Sequence, residues 1–196
     1  MQTVFILGII FILLMSCQNQ TDKTIELTPE EEESYIKTGE LLVKESFDSL
    51  MTNTSRAVES TGIKGALKFC NLNAYPIIYH LEKTKNVKIR RTSAKFRNPA
   101  NQPDSLERTI LNYYSKLLSD GQTLKPIIKP INQEIHFFKP IIIMDLCLKC
   151  HGNVGKELKV DDFNTIRELY PLDNATGYKT GELRGMWHLI MKYKSQ

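Results

Sequence analysis

Cys147, Leu148, Lys149, Cys150 and His151 read C-x-x-C-H. At this spacing two thiols close thioether bonds to the vinyl groups of a haem, while the next residue offers its imidazole to the iron. The chain holds four cysteines and four histidines in all, so unrelated cysteines beside a surface histidine explain that order poorly. Zinc is the sharper rival, because Cys147, Cys150 and His151 with a remote fourth ligand would form a Cys₃His site. The neighbours Cys150 and His151 would then both have to turn onto one small tetrahedral ion. A single covalently held haem c makes no such demand.

The N-terminus bears on the same chemistry. Val4 to Met15 is an almost unbroken apolar run ending in Leu14, Met15, Ser16 and Cys17. It is too short for a bilayer-spanning helix, and a small residue before cysteine suits signal peptidase cleavage. The segment resembles a bacterial lipoprotein signal (1–16), although it lacks the usual Lys or Arg ahead of the apolar stretch. Cys17 would then be the lipidated first residue of the mature chain, followed by a polar tether to residue 27. A core helix or an uncleaved anchor is the alternative. The expectation is an exported protein held to a bacterial membrane by lipid, facing the periplasm or the cell exterior, where haem is attached to C-x-x-C-H.

With Cys17, Cys147 and Cys150 assigned, Cys70 is left alone. Ile63, Ala66, Leu67 and Cys70 fall at i, i+3, i+4 and i+7, which places Cys70 on the inward face of a helix. Two readings stay open: a small buried hydrophobe, or the second axial ligand opposite His151. His80, His136, His188, Met144 and Met186 compete for that sixth position.

Residues 28–196 read as a single domain with a real core. The net charge of +4 and pI near 8.8 are too mildly basic to argue nucleic-acid binding without a reading element. Basic residues concentrate from Lys83 to Arg97; a solvated face is the simpler meaning, and one or two arginines there are candidates to meet haem propionates.

Thr28, Pro29 and the acidic run Glu30 to Glu33 predict the start of a long helix, with Leu41, Leu42, Phe47, Leu50 and Met51 as its packing stripe. A second helix is expected from Ile63 to Leu72, with Pro76 breaking or restarting it before Ile77 to Leu81. Val87 to Thr92 alternates like a strand, and Asn98 to Pro103 is a loop. Asp104 or Ser105 caps a helix over Leu106 to Leu118 that ends near Gly121. Ile127–Ile131 and Ile135–Ile143, interrupted by prolines, read as short or edge strands. A short helix follows Asp161, and Leu183 to Tyr193 closes the chain as a strand. Its two sides are Leu183, Gly185, Trp187, Leu189 and Met191, and Met186, His188 and Ile190. Helices first and antiparallel strands later make an α+β order.

Four segments taken together are specific: A-L-K-F-C (Ala66–Cys70), R-R-T-S-A-K-F-R-N-P-A-N-Q-P (Arg90–Pro103), C-L-K-C-H-G (Cys147–Gly152) and Y-P-L-D-N-A-T-G-Y-K-T-G-E-L-R-G (Tyr170–Gly185). They resemble the family of exported PAS-like c-type haem domains, found alone and as sensory parts of histidine kinases. The resemblance spans Ser34 to Tyr193. It implies a PAS-like antiparallel sheet with helices packed around the haem, thioethers at Cys147 and Cys150, and axial ligands His151 and Cys70. Arg91, Arg97 and Arg184 are candidate propionate partners.

A thiolate opposite imidazole favours ferric iron and a low potential, and it leaves no open coordination site. The expected function is a lipid-anchored redox or small-molecule sensor module, or a low-potential electron carrier, working with a separate redox or signalling partner protein. The alternatives are a peroxidase-like haem enzyme with an open sixth site and a zinc-binding structural lipoprotein.

Overall fold

The computed structural model describes residues 25–194. The apolar run, Ser16 and Cys17 lie outside the described residues. Among those described, no helix is long and apolar enough to cross a membrane.

Helix α1, Pro29–Lys85, opens on the expected cap. The Thr28 hydroxyl accepts from the Glu31 amide, and the Glu31 carboxylate accepts from the Thr28 amide, a reciprocal box that satisfies two of the helix's free donors. Its 57 residues form two arms that meet at Gly62, where φ is 70° and ψ −175°. The arms fold back on each other: the Thr54 hydroxyl and the Cys70 sulfur, sixteen residues apart, lie 3.4 Å from one another. An unbroken helix would separate them by about 24 Å. Lys85 and Glu45 likewise pair across the arms at 2.8 Å. Glycine tolerates this left-handed backbone without the Cβ clash other residues meet.

The break expected at Pro76 does not occur; the helix runs through it to Lys85. Pro76 is exposed, while Leu67, Ile78 and Leu81 of the same arm are buried. Packing along that stripe holds the arm helical despite the lost donor, whereas Gly62 has no such stripe across it. In the first arm Leu50 is buried and Leu42 and Phe47 pack beside it, but Leu41 faces solvent.

Strands β1 (Lys88–Thr92), β2 (Ile127–Ile131), β3 (Glu134–Ile142) and β4 (Leu183–Lys192) form one antiparallel sheet ordered β1-β4-β3-β2. The fold class is α+β, as the order of elements predicts. Asn132 and Gln133 join β2 to β3 in a two-residue turn with both φ positive, the conformation that matches strand twist. Pro130 lies on edge strand β2. Pro140 lies in β3 beyond the last β2 pair, so neither proline removes a needed ladder bond.

Helices cover both faces of the sheet. Val43, Leu50, Ile78 and Leu81 of α1 pack on Ile89, Ile135, Phe137, Trp187, Leu189 and Met191. Gly39 makes this approach close, since a Cβ there would fall 2.5 Å from the Phe137 ring. Helix α2 (Ser105–Ser119) is capped by Asp104. It covers the opposite face, setting Ile110, Leu111 and Tyr114 against Phe138 and Met186. The alternation expected along β4 holds from Met186 to Met191. It fails at Leu183, which joins the α2 side because the pairing slips between Ile141 and Ile142.

Beneath α2 lies a buried polar chain. Arg90 reaches the Glu107 carboxylate at 2.9 Å, His188 Nδ1 donates to the same carboxylate at 2.8 Å, and His188 Nε2 meets His136 Nδ1 at 2.9 Å. Burial alone would raise the Glu107 carboxyl. Hydrogen bonds from His188, the Asp104 amide and Arg90 reverse that and hold it at about 2. Burial and His188 push His136 below its ordinary value.

Both groups bind protons less readily folded than unfolded, so their stabilisation is complete above the unfolded values. It is lost as pH falls, first below the ordinary histidine range through His136, then between 4.5 and about 2 through Glu107. The Glu107 contribution is about 3 kcal/mol. In urea titrations against pH, Glu107→Gln is expected to lower stability at neutral pH by about 2–3 kcal/mol and to flatten the loss below pH 4.5. An unchanged acid limb would refute the assignment.

Candidate functional site

The C-x-x-C-H run sits where β3 ends. Asp145–Cys147 forms one 3₁₀ turn and Leu148–His151 one helical turn, α3. Helix α4 (Val160–Leu169) packs against the second arm of α1. Leu67, Leu158 and Ile166 are buried together, with Ile63, Phe163, Leu169, Tyr170 and Cys150 around them. This small core, separate from the two sheet faces, brings Cys150 into the neighbourhood of Cys70.

The loop Asp173–Tyr178 docks on α3. The Gly177 amide donates to the Gly152 carbonyl at 2.9 Å and the Tyr178 amide to the His151 carbonyl at 3.0 Å. His151 Nδ1 lies 2.7 Å from the Ala175 carbonyl. A carbonyl only accepts, so Nδ1 carries the hydrogen and Nε2 presents its lone pair, the tautomer that binds a metal. Burial, then Arg184 and Arg97, hold His151 well below the ordinary histidine range, so the ring is neutral.

Arg97 clamps this arrangement. Its Nε donates to Asp173 at 2.9 Å, and its Nη2 donates to the Cys150 carbonyl at 2.7 Å and the Ala175 carbonyl at 3.4 Å. The Asp173 side chain is fully buried and also accepts from the Ala175 amide. One guanidinium therefore ties the C-x-x-C-H turn to the loop that orients its histidine. Expected as a propionate partner, Arg97 is engaged within the protein.

Arg91 and Arg184 are different. Among the described residues neither has a carboxylate at ion-pair distance. Arg91 lies over the Trp187 ring, and Arg184 donates to the Ser93 hydroxyl at 2.7 Å beside Tyr178. Burial and then the Arg184 charge lower the Arg91 value; burial and the Arg97 charge lower that of Arg184, against the opposing pull of Tyr178 and Asp173. Two half-buried cations near His151, neither in a close ion pair, are suited to meet an anion.

Of the competitors for the sixth position, His136 and His188 belong to the Glu107 chain on the α2 side, and Met186 is buried in the α2 core. His80 and Met144 face solvent. Cys70 lies in the neighbourhood of both Arg91 and Cys150. Among the described residues no three His, Cys, Asp or Glu side chains are arranged to hold a metal ion together.

Asp173 lies in the Y-P-L-D stretch, a landmark to which the sequence attaches no role. The Ala175 carbonyl and the Thr54 contact carry no signal in the sequence.

A family model, Tll0287-like, matches residues 10–191. The chain belongs to the Tll0287-like family. This agrees with the resemblance carried by the four segments. The crystal structure of the cyanobacterial haem protein Tll0287 is similar to this Tll0287-like chain with a TM-score of 0.59 at 21% identity, covering 87% of this chain and 99% of that one. That likeness shows a shared fold. No curated protein matches the chain.

Removing Arg97 would leave Asp173 buried without its partner. Arg97→Ala is expected to cost about 3–5 kcal/mol in denaturant unfolding. The double variant with Asp173→Ala should lose less than the two single changes combined. Additive losses would show that the pair does not act as a unit.

Proposed function

We propose that this Tll0287-like protein binds one haem c, covalently through Cys147 and Cys150, with His151 and Cys70 as axial ligands. The observation that carries the reading is the neutral His151 ring. Its Nδ1 donates to the Ala175 carbonyl, which leaves the lone pair on Nε2; Cys70 lies in the neighbourhood of Cys150, in the same turn as His151, and among the described residues Arg91 and Arg184 have no carboxylate at ion-pair distance. The residues fit the group: two thiols at thioether spacing, one imidazole, one thiol from another element, and Arg91 and Arg184 to meet two propionates. When bound, haem supplies a one-electron Fe(III)/Fe(II) couple.

The chain's own residues decide how that couple behaves. Ala175 fixes the His151 tautomer and raises its basicity as a ligand. A thiolate at Cys70 donates electron density that favours the ferric state, giving a low potential. With His151 and Cys70 both holding the iron there would be no open site for substrate, and of the histidines an enzyme would need as acid or base, His136 and His188 are engaged on the α2 side while His80 faces solvent. The reading is a redox module, either a low-potential electron carrier or a sensor in which Cys70 would be the residue to give way to a small ligand. Cys17 and the apolar run support a lipid-anchored, exported protein that hands its electron or signal to a separate partner.

Protein made in a host able to attach haem c is expected to carry a haem mass that survives denaturation, and a low-spin ferric spectrum with thiolate character. Cys70→Ala should turn that spectrum high-spin or replace the ligand. A bare chain by mass spectrometry, or a spectrum indifferent to Cys70→Ala, would sink the cofactor or the ligand assignment respectively. Carbon monoxide added to reduced protein separates the two roles: uptake supports the sensor, refusal the carrier.

A further inference from the structure

We propose that Thr54 is a positioning residue for the iron site: its hydroxyl donates a hydrogen bond to the Cys70 sulfur and limits how much electron density that sulfur gives to iron. The inference rests on Cys70 as the axial ligand. Thr54 Oγ1 lies 3.4 Å from Cys70 Sγ, hydrogen-bond distance for sulfur. Five other hydroxyls within α1 behave differently. Those of Thr38, Ser46, Ser60, Thr61 and Thr84 each donate to the carbonyl four residues back, the usual resting place of a helical Ser or Thr. Thr54 turns instead across the gap between the arms.

The contact is long-range in sequence and exists only because the chain reverses at Gly62. Thr54 and Cys70 are both half-buried, which strengthens a bond to a charged sulfur relative to one in water. A thiolate accepts but has no hydrogen to give, so once Cys70 is deprotonated the direction of the bond is fixed: Thr54 donates. The sulfur of a ferrous site carries more negative charge than that of a ferric one. A donated hydrogen bond therefore favours the reduced state and eases reduction, as hydrogen bonds to ligand sulfurs do generally. The first arm of α1, which contributes none of the proposed ligands, thereby tunes the couple.

The test uses the full-length holoprotein with wild type, Thr54→Val, Thr54→Ser and Cys70→Ala side by side. It is read by redox titration with dithionite and by the ferric electronic and electron paramagnetic resonance spectra. Thr54→Val keeps the side-chain shape and removes the hydroxyl. It is expected to lower the equilibrium constant for reduction about fivefold, the scale of one modest interaction, and to move the thiolate-to-iron charge-transfer band to longer wavelength. Thr54→Ser should restore both. Should Thr54→Val load haem poorly, Thr54→Ala against Thr54→Ser reads the same difference. Wild-type potential and spectrum in the hydroxyl-free variants, with Cys70→Ala still altering the spectrum, would overturn the role of Thr54 alone. A spectrum unmoved by Cys70→Ala would show instead that the ligand assignment had failed, and the Thr54 role with it.

Discussion

The buried ion pair between Arg97 and Asp173 is the interaction on which the site depends. Three otherwise independent pieces meet there: the loop after β1 that carries Arg97, the α3 turn that carries Cys150 and His151, and the Asp173–Tyr178 loop that leads into β4. Burying a carboxylate and a guanidinium is costly unless both are paired and hydrogen-bonded. Here the guanidinium meets that demand with the Cys150 and Ala175 carbonyls. Those are backbone groups of the motif and of its orienting loop, so the geometry that stabilises the pair also aims His151.

The site is set at an edge of the fold and away from its main cores. The sheet is packed on both faces, by α1 on one side and α2 on the other, and neither layer includes Cys147, Cys150 or His151. A third, smaller core around Leu67, Leu158 and Ile166 holds α4 and the motif against the second arm of α1. This division lets the Glu107–His188–His136 chain serve the sheet while a separate set of charges surrounds His151. Two of the four histidines are thereby committed to structure, and Arg91, Arg97 and Arg184 lie near His151.

Much of the fold was legible in local chemistry. The Thr28 and Asp104 caps, the strand limits within a residue or two, and the helical face bearing Cys70 all follow from patterns spanning a few residues, which local sterics and hydrogen bonding enforce. Pro76 and Leu41 show where this reasoning fails. A proline's local cost was outweighed by burial of Ile78 and Leu81, and a leucine at the right period faced water because the arm's contact stripe is narrower than its apolar pattern. Leu183 failed for another reason, since a slip in strand pairing moves a side chain to the opposite face.

By itself the sequence determined the kind of chemistry this protein carries. C-x-x-C-H and the four family segments are covalent facts, and their spacing limits what the thiols and imidazole can reach. Only the tertiary structure decided where the remaining side chains lie relative to them. It placed Cys70 near the motif, removed His136 and His188 to the α2 face, engaged Arg97 with Asp173, and turned Thr54 toward a sulfur sixteen residues away. Those outcomes depend on a reversal at one glycine and on which buried charges find partners. Both are settled by long-range packing and desolvation, which no local run of residues encodes.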